Sequence, residues 1–346
     1  MTNPASFFNT VHISNFKSLK DVTLSDCKRI NLLIGKPNVG KSNILEAIGL
    51  FSLPYFKFNK SKKINQFVRL ENIAELFFDG NIYEAIKVII DNNKSCTVNY
   101  LEREGLFRCN LHSNKDGKYN IDIDSEFNLN LASKREKFYP LPARVSYYKF
   151  PHTFEKLVDP PNLFNLTPPC GSNLSVIIQL NRTLTDELST IFSEYGLQLV
   201  FDNSSRTLKI MKSIKNKKEV FILPYSSISD TLQRLIFFKT AIVLNNNSIL
   251  LFEEPEAHCF PPYIAHFTQD VINSTSNQFF IATHSPYVLN DFLETEETRK
   301  ELAIFIADFK DGQTVINRLT DDEVNEVYDY GIDVFFNYER FTRHDG

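Results

Sequence analysis

RINLLIGKPNVGKSNILEAI, residues 29–48, reads as strand, loop and helix in succession. Arg29 to Ile34 is a short apolar run of the kind that forms a buried strand. From Ser42 to Leu53 apolar residues recur at helical spacing through Ile44, Leu45, Ile48 and Phe51. Between them, Gly35 to Ser42 fits G-x-x-x-x-G-K-[ST] in full. Glycines in such a loop let backbone N–H groups turn inward on phosphate oxygens, and the helix that follows aims its positive end at the same place. Lys41 is expected at the β- and γ-phosphates of ATP and the Ser42 hydroxyl on Mg2+. Gly35, Asn38, Val39, Gly40 and Asn43 complete the expected nucleotide contacts. A chance match is a weak alternative, because the motif sits between a predicted strand and a predicted helix.

Two further segments carry chemistry. In Ile249 to Glu254 (ILLFEE) four apolar residues end in two carboxylates. At the carboxyl end of a parallel strand such side chains emerge into the ligand crevice, and neighbours alternate faces. Glu253 is expected to hold Mg2+ directly or through water, and Glu254 to orient and polarise the attacking water. Alone, the pair would read as a solvated strand end; the phosphate loop upstream favours the catalytic reading. In Phe279 to Pro286 (FFIATHSP) a histidine follows another buried strand. His284 is expected to reach the γ-phosphate or hold the water network, the plain alternative being a cap on the next turn.

Taken together, these residues resemble the ABC-type ATPase superfamily, in the branch that contains RecF, the SMC heads and the OLD-family proteins. The opening HISNFKSLKDVTL, the loop INLLIGKPNVGKSNILEAI, the LLFEEPEAH segment and ATHSP match that branch's strand, Walker A, Walker B with D-loop, and switch-histidine segments in order. The resemblance covers about Val11–Leu53 and Ser226–Leu289. It implies that two heads sandwich two ATP molecules, each site completed by a signature serine from the other copy. Ser226 to Arg234 (SSISDTLQR) is similar to the signature segment, which assigns Ser229 to that role. The same serine is a good helix N-cap in any case. Three departures are visible. Thr231 stands where a glycine follows the aspartate, Glu253 stands where aspartate is usual, and Cys259-Phe260 follows the EAH triplet. By the same resemblance Glu256 and His258 fall on the D-loop at the dimer interface. Lys17, in NFKS, reads as a surface lysine, the alternative being an approach to the nucleotide.

The 346 residues are 42% hydrophobic and 23% charged, a globular balance, with net charge −4. A weakly acidic chain is not driven onto nucleic acid or anionic lipid by its overall field. Five cysteines (Cys27, Cys96, Cys109, Cys170, Cys259) form no C-x-x-C pair, which argues against a disulfide framework or zinc knuckle. With no signal peptide and no apolar run of membrane length, a cytoplasmic location without membrane contact is expected.

Short alternating stretches at Ala85–Asp91, Ser95–Leu101, Gly105–Leu111 and Lys118–Asp124 read as strands, with turns at Asn92-Asn93 and Asp116-Gly117. Prolines from Pro140 to Pro169 mark a looping connection. Asn173 to Tyr195 reads as one or two helices, followed by small strands at Leu197–Asp202, Thr207–Lys212 and Glu219–Leu223. From Ser229 onward helices alternate with buried strands, which implies a parallel sheet covered on both faces.

The expected fold is therefore α/β: an ABC-ATPase-like P-loop fold with a mostly parallel central sheet, a β-rich antiparallel insertion, and a helical and β lid between Walker A and the signature motif. One split head is expected, with residues 1–54 and 225–346 as nucleotide-binding core, 55–150 as insertion and 151–224 as lid. After His284 the sequence holds no histidine cluster or Toprim-like acidic triad, so a nuclease half is not expected. The resemblance implies an ATPase switch that forms a homodimer or larger homo-oligomer in an anti-phage system. Such a switch would control a separately encoded effector, a nuclease by the same resemblance. One alternative is a RecF-like repair ATPase contacting DNA through Lys60, Lys62 and Lys63 or through Lys212, Lys215, Lys217 and Lys218. The other is a nucleotide-binding scaffold that does not hydrolyse.

Overall fold

The computed structural model describes residues 7–113, 117–131, 144–151, 162–213 and 219–342. Asp116, Pro140, Pro142, Pro160, Pro161, Lys215, Lys217 and Lys218 lie outside the described residues. In chain order the strands are β1 (Val11–Phe16), β2 (Leu19–Leu24), β3 (Ile30–Ile34), β4 (Ile86–Ile90), β5 (Lys94–Leu101), β6 (Leu106–Ser113), β7 (Gly117–Ile123) and β8 (Leu129–Leu131). They continue as β9 (Val145–Tyr148), β10 (Leu197–Asp202), β11 (Thr207–Ser213), β12 (Val220–Pro224), β13 (Ile249–Glu253), β14 (Gln278–Ala282), β15 (Leu302–Lys310) and β16 (Gln313–Arg318). The helices are α1 (Lys41–Gly49), α2 (Leu174–Leu180), α3 (Arg182–Ser193), α4 (Asp230–Val243), α5 (Pro261–Asn273), α6 (Pro286–Leu293), α7 (Glu296–Lys300), α8 (Asp321–Asp329) and α9 (Tyr338–Phe341).

The central sheet has the order β16-β15-β3-β14-β13-β9, parallel throughout except for the β15–β16 hairpin. Its strands are apolar on both sides because both sides are covered. Ile30, Leu32 and Ile34 of β3 face one core while Leu33 faces the other. Leu250 and Phe252 of β13 join the first core, and Ile249 and Leu251 the second. The period of two thus divides a continuous apolar strand between two layers. The first core is closed by helices including α4, α5, α6 and α8, and the second by α1 and an antiparallel sheet.

That antiparallel sheet has seven strands in the order β2-β1-β4-β5-β6-β7-β8. The strands read in the 55–150 segment therefore extend the N-terminal β1–β2 hairpin, with Val11 opposite both Leu24 and Ile90. β9, from the same segment, instead forms the edge of the central sheet beside β13. Neither pairing has a local cue, because strand partners far apart in sequence are chosen by packing. The three small strands pair as β10-β11-β12.

The first helix is shorter than its apolar spacing predicts. α1 ends at Gly49, and Leu50–Phe58 continues as a tighter 3-10 turn around Pro54. Proline has no N–H to give to an α-helical ladder and its ring crowds the preceding turn. At the other end of the chain, α8 starts with a capping box: the Thr320 hydroxyl accepts from Glu323 N, and the Glu323 carboxylate accepts from Thr320 N. Among the described residues no helix is long and apolar enough to cross a membrane.

Candidate nucleotide site

The phosphate loop leaves β3 and turns into α1 under steric constraint. A Cβ on Gly35 would lie 2.3 Å from the Ala307 carbonyl oxygen of β15. Gly40 caps α1 at φ 102°, and a Cβ there would meet the Thr314 hydroxyl at 2.1 Å. Asn38 also takes a positive φ, 62°, which asparagine tolerates better than most residues. Thr314 braces the loop from β16: its hydroxyl donates to Val39 O at 2.9 Å and its N–H to Ser18 O at 2.8 Å. Asn43 donates to the Ser18 hydroxyl at 2.7 Å, so its side chain joins this brace.

Lys41 is buried, with its ammonium donating to Gly35 O at 2.7 Å and Lys36 O at 2.8 Å. Burial pulls its pKa down to about 8, with Glu254 acting in the opposite direction. The Ser42 hydroxyl lies beside the Glu253 carboxylate and helps to lower its pKa. Tyr147 OH at 2.9 Å, Arg69 at 3.2 Å and Lys149 at 3.4 Å surround the same carboxylate. Burial acts to raise the Glu253 pKa, but Lys149, Ser42 and Arg69 outweigh it and the net direction is down. Glu254 follows at φ 44°, its N–H held by Ala282 O at 2.9 Å. The left-handed backbone ends the β13 alternation. It leaves Glu254 half-exposed with Oε1 3.5 Å from His284 Nε2. Desolvation and then Lys41 lower the His284 pKa, against Glu254.

Lys41, Ser42, Glu253, Glu254 and His284 therefore gather at the carboxyl ends of β3, β13 and β14. Ser42 and Glu253 fit Mg2+: they are two hard oxygen donors side by side, at the start of α1 and the end of β13. Ser229 lies elsewhere in its bonding. It caps α4 by accepting from Leu232 N at 3.4 Å, and it is exposed. Asp230 pairs with Arg234 at 3.0 Å and lies 3.4 Å from His258.

Two assignments change. Glu256 faces inward, where it accepts from the Thr283 hydroxyl at 2.7 Å and His284 N at 2.9 Å, so it fixes the histidine loop. Burial raises its pKa, and these bonds counter that rise. Lys17 donates to Glu46 at 2.7 Å and Arg69 O at 2.8 Å, which makes it a partner of a buried carboxylate.

The residues that motif reading missed form a layer behind Glu253. Lys149 bridges Glu46, at 3.3 Å, and Glu253. Glu46 also accepts from Arg69 N at 3.3 Å, and Lys149 donates to Phe67 O at 3.1 Å. One signal was available: Glu46 interrupts the apolar run Ile44 to Ile48, and a charge buried in such a face needs partners.

Residues 142–290 match the family model described as "AAA domain, putative AbiEii toxin, Type IV TA system". An ATP/GTP phosphatase of Helicobacter pylori is 22% identical over 92% of the chain and 97% of its own length. A crystal structure of the Smc head domain with an extended coiled coil, bound to the C-terminal domain of ScpA derived from Pyrococcus furiosus, aligns with a TM-score of 0.52. That alignment spans 94% of this chain and 99% of that one, at 13% identity. The chain has the fold of SMC head domains and carries a phosphate-loop motif at residues 35–42. RecF of Clostridioides difficile is 33% identical over 91 residues, which are 25% of this chain and 24% of RecF. In this SMC-head fold the two motif-bearing ends of the chain meet on the central sheet, and β9 supplies Tyr147 and positions Lys149 beside Walker B.

Proposed function

We propose that the protein is an ATP-binding and ATP-hydrolysing switch. ATP would draw two copies together, with the Ser229 end of α4 from one copy meeting the 35–42 loop of the other. The observation that carries the hydrolytic part is the pairing of Glu254 with His284 at 3.5 Å beside Lys41. Lys41 neutralises phosphate charge, and the loop N–H groups orient the phosphate oxygens. Glu254 orients water and takes its proton, while His284 holds the resulting hydrogen-bond network. Mg2+ at Ser42 and Glu253 would add charge stabilisation on the transferring phosphoryl group. The description of the matched family, with its toxin and Type IV TA system, supports placing this switch in a prokaryotic anti-phage system with a separately encoded effector.

A RecF-like role on DNA is the second reading, favoured by the local match to RecF. It predicts turnover stimulated by DNA and binding that weakens steeply with salt.

The test is Glu254→Gln protein purified from its own host. Phosphate release should fall by roughly 10²–10⁴-fold. Native mass spectrometry in Mg-ATP should show two chains with two ATP and an additional protein. A monomer that retains ATP would sink the sandwich mechanism. Unchanged turnover in the variant would remove Glu254 from its role and leave a binding scaffold.

A further inference from the structure

The C-terminal segment returns to the rim of the phosphate loop. Val334, Tyr338 and Phe341 are buried and anchor it. The Tyr338 hydroxyl donates to Ala307 O, the same carbonyl that excludes a side chain at Gly35. The Tyr338 ring lies 5.2 Å from the ammonium of Lys36, the second residue of the loop. Between these anchors Phe336 is 90% exposed. Phe335, Phe336, Asn337, Glu339 and Lys36 line a cavity of about 380 Å³, within the range of small-molecule sites.

The position of this cavity follows from the sheet order. β3, which feeds the phosphate loop, lies between β14 and β15. Glu253, Glu254 and His284 occupy the β13–β14 side, so the reacting end of a bound triphosphate faces that way. The sugar and base then leave on the other side of β3, over β15, where Tyr338 and Phe336 stand. A large aromatic side chain left in water between two buried anchors presents an exposed π-face, and such faces stack on nucleobases.

We propose that the cavity beside Lys36 receives the base of the nucleoside triphosphate, with Phe336 as its stacking platform. This rests on the nucleotide reading of the 35–42 loop. The test is calorimetric titration of the full chain with ATP and, separately, with inorganic tripolyphosphate, which has no base. Phe336→Ala should weaken ATP roughly tenfold or more and leave tripolyphosphate unchanged, whereas Phe336→Trp should retain ATP affinity. Equal weakening of both ligands, or of neither, overturns the assignment while leaving the phosphate site intact. Lys41→Ala separates the two readings. If it leaves both ligands bound as in the natural chain, the nucleotide reading of the loop fails, and the base site fails with it.

Discussion

Two groups of charged residues meet near Glu253 at the end of β13, and they differ in kind. Lys41, Glu254 and His284 line the cleft; the latter two are half-exposed and lie 3.5 Å apart. Glu46, Lys17 and Lys149 lie behind Walker B, with side-chain exposures of 1%, 13% and 16%. Their separations are 2.7 and 3.3 Å, and water has little access to them. Glu253 belongs to both groups, since Ser42 meets it from the cleft and Lys149 from behind. The difference teaches that Glu254 and His284 are loosely partnered and free to take up ligand, while Lys41 rests on two loop carbonyls and the layer around Glu46 is fully paired and holds one carboxylate in place.

The largest expected effect tests that closed layer. Lys149→Met leaves Glu46 and Glu253 short of their shared cation. Removing one partner of a buried ion pair costs about 3 kcal/mol, so the urea midpoint should fall clearly. An unchanged midpoint would mean that the layer is solvated and that the contrast between the two groups does not hold.

A smaller effect probes the brace between the two sheets. Thr314→Val keeps the shape but removes the hydroxyl that reaches Val39 O and lies 2.7 Å from the Ser18 hydroxyl. The expected loss is about 1–2 kcal/mol of stability, with weakened ATP binding measured by calorimetry. Thr314→Ser should restore both. Unchanged stability and binding in the valine variant, with losses in the serine variant, would assign the brace to methyl packing.

The smallest effect concerns the cleft itself. Lys41 is a base whose free-protein pKa is lowered to about 8. Below that pH it is charged and ready for phosphate; above it, binding must also take up a proton. The ATP Kd should be flat below pH 8 and rise by up to about tenfold per unit above it. A flat profile to pH 9.5 would show that Lys41 stays charged and that its burial is relieved in solution. As for folding, a lowered lysine pKa costs stability below 8, and that cost fades as pH rises toward the unfolded value.

How far the sequence could be read follows the range of the interactions involved. The phosphate loop, the ends of β13 and β14 and most later elements are short contiguous patterns. β10 matches its predicted span, Leu197–Asp202, residue for residue. α1 does not, because a 3-10 turn around Pro54 replaces the last stretch of predicted helix. The bonds of Glu256 to Thr283 and His284 were not legible for a related reason: those partners are close in space but far in sequence.

By itself the sequence determined which residues make a phosphate loop, where two carboxylates end a buried strand and where a histidine follows the next one. Each is a local pattern imposed by backbone period and chain direction. Only the tertiary structure decided that Lys149 neutralises both Glu46 and Glu253, and that the central strands of the chain continue the β1–β2 sheet. The same holds for Phe336 at the rim of the loop. These contacts join residues tens to hundreds of positions apart, and they are selected by burial and charge pairing in three dimensions, which no window of sequence contains.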